Sequence, residues 1–278
     1  MASFFQSLLR LTRFTNLLII GLAQYFTAYF LVDNSALTDL RLLILTSSTV
    51  LIAAAGYIIN DYYDIKIDYI NKPERVVIGK GIPRRFAILF HTLFSFAGIA
   101  LGYYLGWQIA LINFLSAFLL WWYSNNLKRL PFVGNFSIAL LTGASIYIVA
   151  LLFGGDDTLI IIYSSFAFFM TLVREIIKDM EDLKGDSTFG CKTLPIVWGF
   201  RKTKQFLYAV IFIFCMTVLI LDLLFTALPS VYFVLFLFAP LIWMVLRLYR
   251  ADTIKEFEWL SNFCKVIMLL GILSMSLL

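Results

Sequence analysis

Nine apolar stretches, each about as long as a bilayer is thick, constrain this chain more than any other feature. They fall at roughly 14–32, 41–60, 84–105, 108–124, 134–153, 158–177, 205–225, 229–247 and 258–277. Some 20 predominantly apolar residues are needed to cross the hydrocarbon as a helix, because the backbone polar groups must be satisfied within the segment. The composition agrees: 62% of the 278 residues are hydrophobic and 14% charged, against about 25% charged in soluble domains. The connections are short and leave no room for a soluble domain. The expectation is one all-α integral membrane domain over residues 1–278 with nine spans.

Charge fixes an orientation. With the N-terminus placed in the cytoplasm, 21 of the 22 Lys and Arg residues fall at cytoplasmic span ends and loops, and only Arg41 lies outside. The opposite loops carry Asp33, Asp39, Asp156, Asp157 and Asp222. The positive-inside rule therefore puts the N-terminus in the cytoplasm, and an odd span count puts the C-terminus on the other side. The net charge of +5 reflects this topology and an anionic substrate, and gives no support for nucleic-acid binding. The N-terminal apolar run is long enough to span, and no convincing cleavage site follows it. Cys191, Cys215 and Cys264 are scattered, and His91 is the single histidine. Zinc, haem and iron–sulfur chemistry drop out for want of ligands, and His91 reads as a structural residue.

Two acidic runs break the apolar pattern. NDYYDIKID at 60–68 places Asp61, Asp64 and Asp68 at i, i+3 and i+7, and DMEDLKGD at 179–186 repeats the spacing with Asp179, Asp182 and Asp186. On a helix each triplet shares one face. An ionised Asp in hydrocarbon costs about 2.5–3.5 kcal/mol, and three on one face repel one another. Divalent cations compensate: Mg²⁺ takes one or two carboxylates plus waters and substrate phosphates. Two acidic helix ends facing each other would hold two or three such ions around a diphosphate, with Asn60 adding a neutral oxygen. The plain alternative is solvated loop acids just outside the bilayer, and two runs of matching spacing argue against it. Recurrence in the same orientation also suggests a weak parallel pseudo-repeat. Loops rich in Gly, Pro and bases follow both runs and suggest caps over one shared site. Arg75, Lys80, Lys128, Arg174 and Lys178 are the candidate phosphate contacts, because they lie beside the motifs or at a span end. Tyr123, in WWYSNNLKR, stands out among the aromatics whose faces could shelter an allylic cation.

These features resemble the UbiA superfamily of intramembrane prenyltransferases over nearly the whole chain. The matching pieces are NDYYDIKID, DMEDLKGD, the YSNNLKR segment and LTRFTN at the first span. The resemblance implies nine helices around a central cavity open to lipid, under a cytoplasmic cap of loops and short helices. It also implies that Asn60, Asp61, Asp64, Asp68, Asp179, Asp182 and Asp186 bind Mg²⁺-diphosphate. Arg75, Lys80 and Lys128 match diphosphate-contacting bases, and Asn16 a polar site residue. NKPER and REIIKDMEDLKGD…KTLPI look most like the digeranylgeranylglyceryl phosphate synthase branch, which implies transfer of a prenyl group to a prenylated glycerol phosphate in ether-lipid synthesis. The chain departs from the branch at RVVIGK, where R-P-[IL]-P-S-G-R is usual. Lys80 keeps the charge but not the bidentate fork of arginine. Asp64 and Asp182 are expected to act through the metal, with Asp68 and Tyr123 as candidates to take the acceptor proton. An aromatic acid or naphthoate as acceptor, in quinone synthesis, is the alternative within the class. An ion-coupled transporter is the alternative outside it, disfavoured because transporter sites lie near the midplane.

Overall fold

The computed structural model describes residues 4–155, 157–225 and 233–277. Eleven α-helices follow in chain order among the described residues. They are α1 (Phe4–Leu11), α2 (Phe14–Phe26), α3 (Leu40–Asn71), α4 (Arg84–Leu105), α5 (Trp107–Asn125) and α6 (Val133–Phe153). After them come α7 (Asp157–Glu181), α8 (Leu183–Thr188), α9 (Leu194–Phe225), α10 (Ala239–Arg250) and α11 (Ile254–Ser274). No strand occurs among the described residues. Seven helices are long and apolar enough to cross a membrane: α2 with its π-helical turn Thr27–Val32, α3, α4, α6, α7, α9 and α11.

The other two expected spans fare differently. The 108–124 stretch forms α5, but Gln108, Asn113 and the run from Trp121 to Asn125 lower its apolarity. The 229–247 stretch begins at residues 229–232, which lie outside the described residues. Its described part is a π-helical turn (Phe233–Phe238) leading into α10.

Local chemistry sets the breaks between helices. Asp39 caps α3 by accepting a hydrogen bond from Arg41 N, and its other oxygen takes the Arg41 guanidinium at 2.7 Å. The one base outside the basic end is thereby neutralised by its neighbour. Gly106, at φ 152°, separates α4 from α5 in a conformation that side-chain-bearing residues rarely adopt. Thr253 and Glu256 form a reciprocal capping box that starts α11.

The two acid-bearing helices are the deepest. The most apolar window of α7 is 61% buried and that of α3 is 56%, whereas α4 reaches 17% and lies at the periphery. Met170, Val173, Ile176, Ile177 and Met180 of α7 pack against buried residues of α9, α10 and α11, including Phe214, Met244 and Phe257. Helix α3 packs on α4 and α5, and α2 touches α3, α6 and α11. Thr27 Oγ1 donates to Met275 Sδ across 3.9 Å, so the chain's last turn lies at the end of α2 remote from Arg13. The peripheral helices present Phe96, Tyr103, Tyr104 and Trp107 outward, as lipid-facing and interfacial aromatics do.

Candidate active site at the charged end of the bundle

Helix α3 runs unbroken through Asn71, so Asn60, Asp61, Asp64 and Asp68 all project from its last three turns. The second motif differs from expectation. Helix α7 stops at Glu181, Asp182 adopts φ −90° and ψ 8°, and Asp186 sits on the separate short helix α8. The cause lies across the site. Asn71 Nδ2 donates to Asp182 O at 3.0 Å, and Asn71 Oδ1 accepts from Gly185 N at 2.8 Å. A side chain from the end of α3 thus supplies partners for backbone groups where the helix breaks.

Asp61, Asp64, Asp179 and Asp182 each meet a partner. Arg13 Nη2 reaches Asp61 Oδ1 at 2.8 Å, and Lys128 Nζ reaches Asp64 Oδ1 at 2.6 Å. Lys72 Nζ bridges Glu181 (2.7 Å) and Asp182 (2.8 Å), and Lys178 approaches Asp182 at 4.0 Å. Asn135 Nδ2 donates to Asp179 Oδ2 at 2.9 Å. Asp186 lies close enough to Asp182 and Asp64 to feel their charges; burial and these neighbours raise its carboxyl to about 7, while Lys178 and Lys128 oppose the rise. The two motifs therefore face one another. Arg13 holds a left-handed conformation, φ 51°, which turns the chain sharply between α1 and α2; such backbone is uncommon outside glycine and clusters at functional sites.

Below the charges lies a cavity of about 220 Å³. Its apolar wall includes Ile19, Ile20, Ile52, Leu120, Leu141 and Ile148, and its charged wall is Arg13, Arg174, Glu175, Lys178 and Lys265. Asn16, Asn60 and Tyr123 also line it. Asn16 Nδ2 donates to Tyr57 Oη at 3.4 Å, and the Arg13 guanidinium stacks over the Tyr57 ring at 4.9 Å.

Two expected phosphate contacts stand elsewhere. Arg75 points to Glu258 (3.7 Å) and Glu74 (4.0 Å), and its side chain is 61% exposed. Lys80 donates to Pro73 O at 3.0 Å and lies over the Tyr69 ring. The apolar residues of RVVIGKGI decide this. Ile78 and Ile82 are buried with Leu11, Ile58 and Ile65, so the loop is pinned by its isoleucines and Lys80 is left on the exposed turn at Gly79. Conversely, Lys72, Asn71, Arg13, Asn135, Glu181 and Lys265 belong to the site or its support and were not singled out in the sequence. Lys72 and Asn71 adjoin the first motif, which was the available signal. His91 Nδ1 donates to Ala55 O at 3.1 Å, a structural bond. Burial pushes the Cys191 thiol up to about 11, so it is no thiolate nucleophile.

The donor set fits a hard divalent cation. It is all oxygen, and Asn60 Oδ1 is buried without a hydrogen-bond partner among the described residues, a costly state for an acceptor unless something occupies it. Among the described residues no three carboxylates converge as a ready-made cage.

Fold and site together define an integral membrane protein with two acid-bearing helix ends at the mouth of an apolar cavity. The profile of the UbiA prenyltransferase family matches residues 21–268, and the chain belongs to that family. The digeranylgeranylglyceryl phosphate synthase of Saccharolobus solfataricus is 33% identical over 278 residues, covering 97% of this chain and 95% of that one. The enzyme of the same name from Pyrococcus horikoshii is 40% identical over 150 residues, 54% of each chain. A solved structure concerning digeranylgeranylglyceryl phosphate synthase in membranes superposes with a TM-score of 0.72, at 24% identity and 98% and 97% coverage of the two chains. A UbiA homologue from Archaeoglobus fulgidus, bound to DMAPP and Mg²⁺, superposes with a TM-score of 0.73, at 19% identity and 98% and 100% coverage. The two structural likenesses establish the fold.

Proposed function

We propose that this prenyltransferase moves a polyprenyl group from an isoprenyl diphosphate to the hydroxyl of a prenylated glycerol phosphate, forming an ether bond in lipid synthesis. The observation that carries the reaction class is the meeting of two acid-bearing helix ends, bridged by Lys72 and Asn71, above a largely apolar cavity. The glycerol phosphate acceptor is supported by end-to-end similarity to the Saccharolobus solfataricus enzyme. In this reading nine helices cross the membrane, the charged end and its cap face the cytoplasm, and the C-terminus lies on the other side.

Asn60, Asp61, Asp64, Asp68, Asp179, Asp182 and Asp186 would hold two or three Mg²⁺ ions. When bound, Mg²⁺ offsets the charge of the departing diphosphate. Lys128 and Lys72 already touch the acids and would turn to the diphosphate oxygens, adding fixed positive charge where negative charge develops. The apolar wall takes the prenyl tail and excludes water from the allylic carbon. The C–O bond to diphosphate breaks, the acceptor oxygen bonds to that carbon, and the acceptor proton leaves. Asp68, without an ion pair among the described residues, and Tyr123 in the cavity wall are the candidates to take it, the Tyr123 phenol only as a relay that hands its own proton on.

The test is direct. Asp64→Ala and Asp182→Ala should each lower turnover of geranylgeranyl diphosphate with geranylgeranylglyceryl phosphate by about 10²–10³-fold or more, with thermal unfolding in detergent little changed, and chelation of divalent cations should silence the wild type. Normal activity in either variant removes that residue from the site. Product with 4-hydroxybenzoate or a naphthoate alone would assign an aromatic acceptor instead.

A further inference from the structure

The charged wall of the cavity is distinct from the acids at its mouth. Four cationic side chains line it, Arg13, Arg174, Lys178 and Lys265, against the one carboxylate of Glu175. Arg13 is engaged by Asp61 and Arg174 by Glu175 through one of its terminal nitrogens, while Lys178 stands 4.0 Å from Asp182. Lys265, expected at a cytoplasmic span end, sits instead in the middle of the spanning helix α11, faces the same cavity and has no ion-pair or hydrogen-bond partner among the described residues. Arg174 Nε is likewise buried without a hydrogen-bond partner. A half-buried ammonium and a buried guanidinium N–H with no partner among the described residues, both facing one cavity, make a pair that an anion would complete. None of the six motif aspartates lines this cavity. Asn60 and Lys178 connect the cavity to the acids at its mouth, so an anion held by Lys265 and Arg174 would lie next to the metal-held diphosphate.

We propose that Lys265 and Arg174 form a second anion subsite that binds the phosphate monoester of the acceptor, next to the donor diphosphate at the cavity mouth. This deepens, and rests on, the glycerol phosphate reading above. It also moves Arg174 away from the donor diphosphate, the role its sequence position suggested. A phosphate monoester carries up to two charges and three acceptor oxygens, enough to engage the ammonium and the Nε–H together. With its phosphate held on α11 and α7, the acceptor keeps its glycerol end within the cavity, where the hydroxyl can approach the allylic carbon. A carboxylate shares the negative charge but offers fewer oxygens, so an aromatic acid is the competing occupant.

Kinetics with both substrates varied will decide, using Lys265→Gln and the charge-keeping Lys265→Arg. The expected result for Lys265→Gln is a rise of about tenfold or more in KM for geranylgeranylglyceryl phosphate, with KM for geranylgeranyl diphosphate within about twofold of wild type. Lys265→Arg should recover most of the loss. The dephosphorylated glyceryl ether, a poor acceptor for the wild type, should be used about equally by wild type and Lys265→Gln, since it brings no phosphate to lose. A rise in donor KM instead, or no change in either, overturns the subsite. If the wild type turns over only an aromatic acid, the acceptor reading itself fails. A Lys265→Gln effect on KM for that acid would then reassign the subsite to a carboxylate and overturn the phosphate assignment.

Discussion

Lys72 concentrates the electrostatics of the site in one ammonium. Its Nζ sits 2.7 Å from Glu181 and 2.8 Å from Asp182, and Glu181 Oε2 also accepts from Ser261 Oγ at 2.9 Å. The Glu181 side chain is 5% exposed, so losing the cation leaves a buried carboxylate without its partner. Lys72→Met should destabilise the protein by about 3 kcal/mol, read as a lower unfolding midpoint, while Lys72→Arg should keep most of the stability. An unchanged midpoint in Lys72→Met would show that the bridge contributes nothing. The acids were plain in the sequence, because six aspartates in two runs of matching spacing beside membrane spans are hard to accommodate except around cations. Lys128 and Lys178, marked by their place beside the motifs, do meet acids, but which base of the loop after the first motif would do so was not plain. Lys72 and Lys80 are both basic residues of one loop, and only the burial of Ile78 and Ile82 determines that the first turns inward and the second stays on the exposed turn.

Helix continuity differs between the two motifs although their spacing is identical. A periodicity argument treats both as a single helical face, which is right for α3. At the second motif the partner that interrupts the helix, Asn71, is more than a hundred residues away in sequence, so no local pattern could reveal it. The break depends on Gly185. A Cβ there would lie 2.5 Å from Asn71 Nδ2 and 2.6 Å from its Oδ1, closer than real contacts allow, and would expel the side chain that ties α3 to α8. Gly185→Ala should therefore reduce kcat/KM by about tenfold or more, through misplacement of Asp182 and Asp186. Asn71→Ala alone should also lose activity, since it removes the same bridge. The two losses should be strongly non-additive, because both substitutions act on one contact. Additive losses would mean that Gly185 matters for another reason.

Topology follows from where the charges collect over the whole bundle. Arg13, Lys72 and Lys128 all meet acids at one end, and Lys204 reaches Asp252 where α10 gives way to α11. Arg41, the base assigned to the other side, is held by Asp39 at 2.7 Å, so that side carries almost no free positive charge. Cytoplasmic loops are the ones enriched in Lys and Arg, which supports the proposal that the charged end faces the cytoplasm. A cysteine reporter at each end tests this, in a background with Cys191, Cys215 and Cys264 replaced by alanine. Ser35→Cys lies in the exposed turn between α2 and α3, and Ser187→Cys lies on α8 beside the acids. A membrane-impermeant maleimide added to intact cells should label Ser35→Cys, and should label Ser187→Cys only after the membrane is opened. The reverse pattern would put the acids outside, away from a cytoplasmic supply of water-soluble diphosphate and Mg²⁺, and the proposed substrate could then not reach the site from the side on which the positive-inside rule places it.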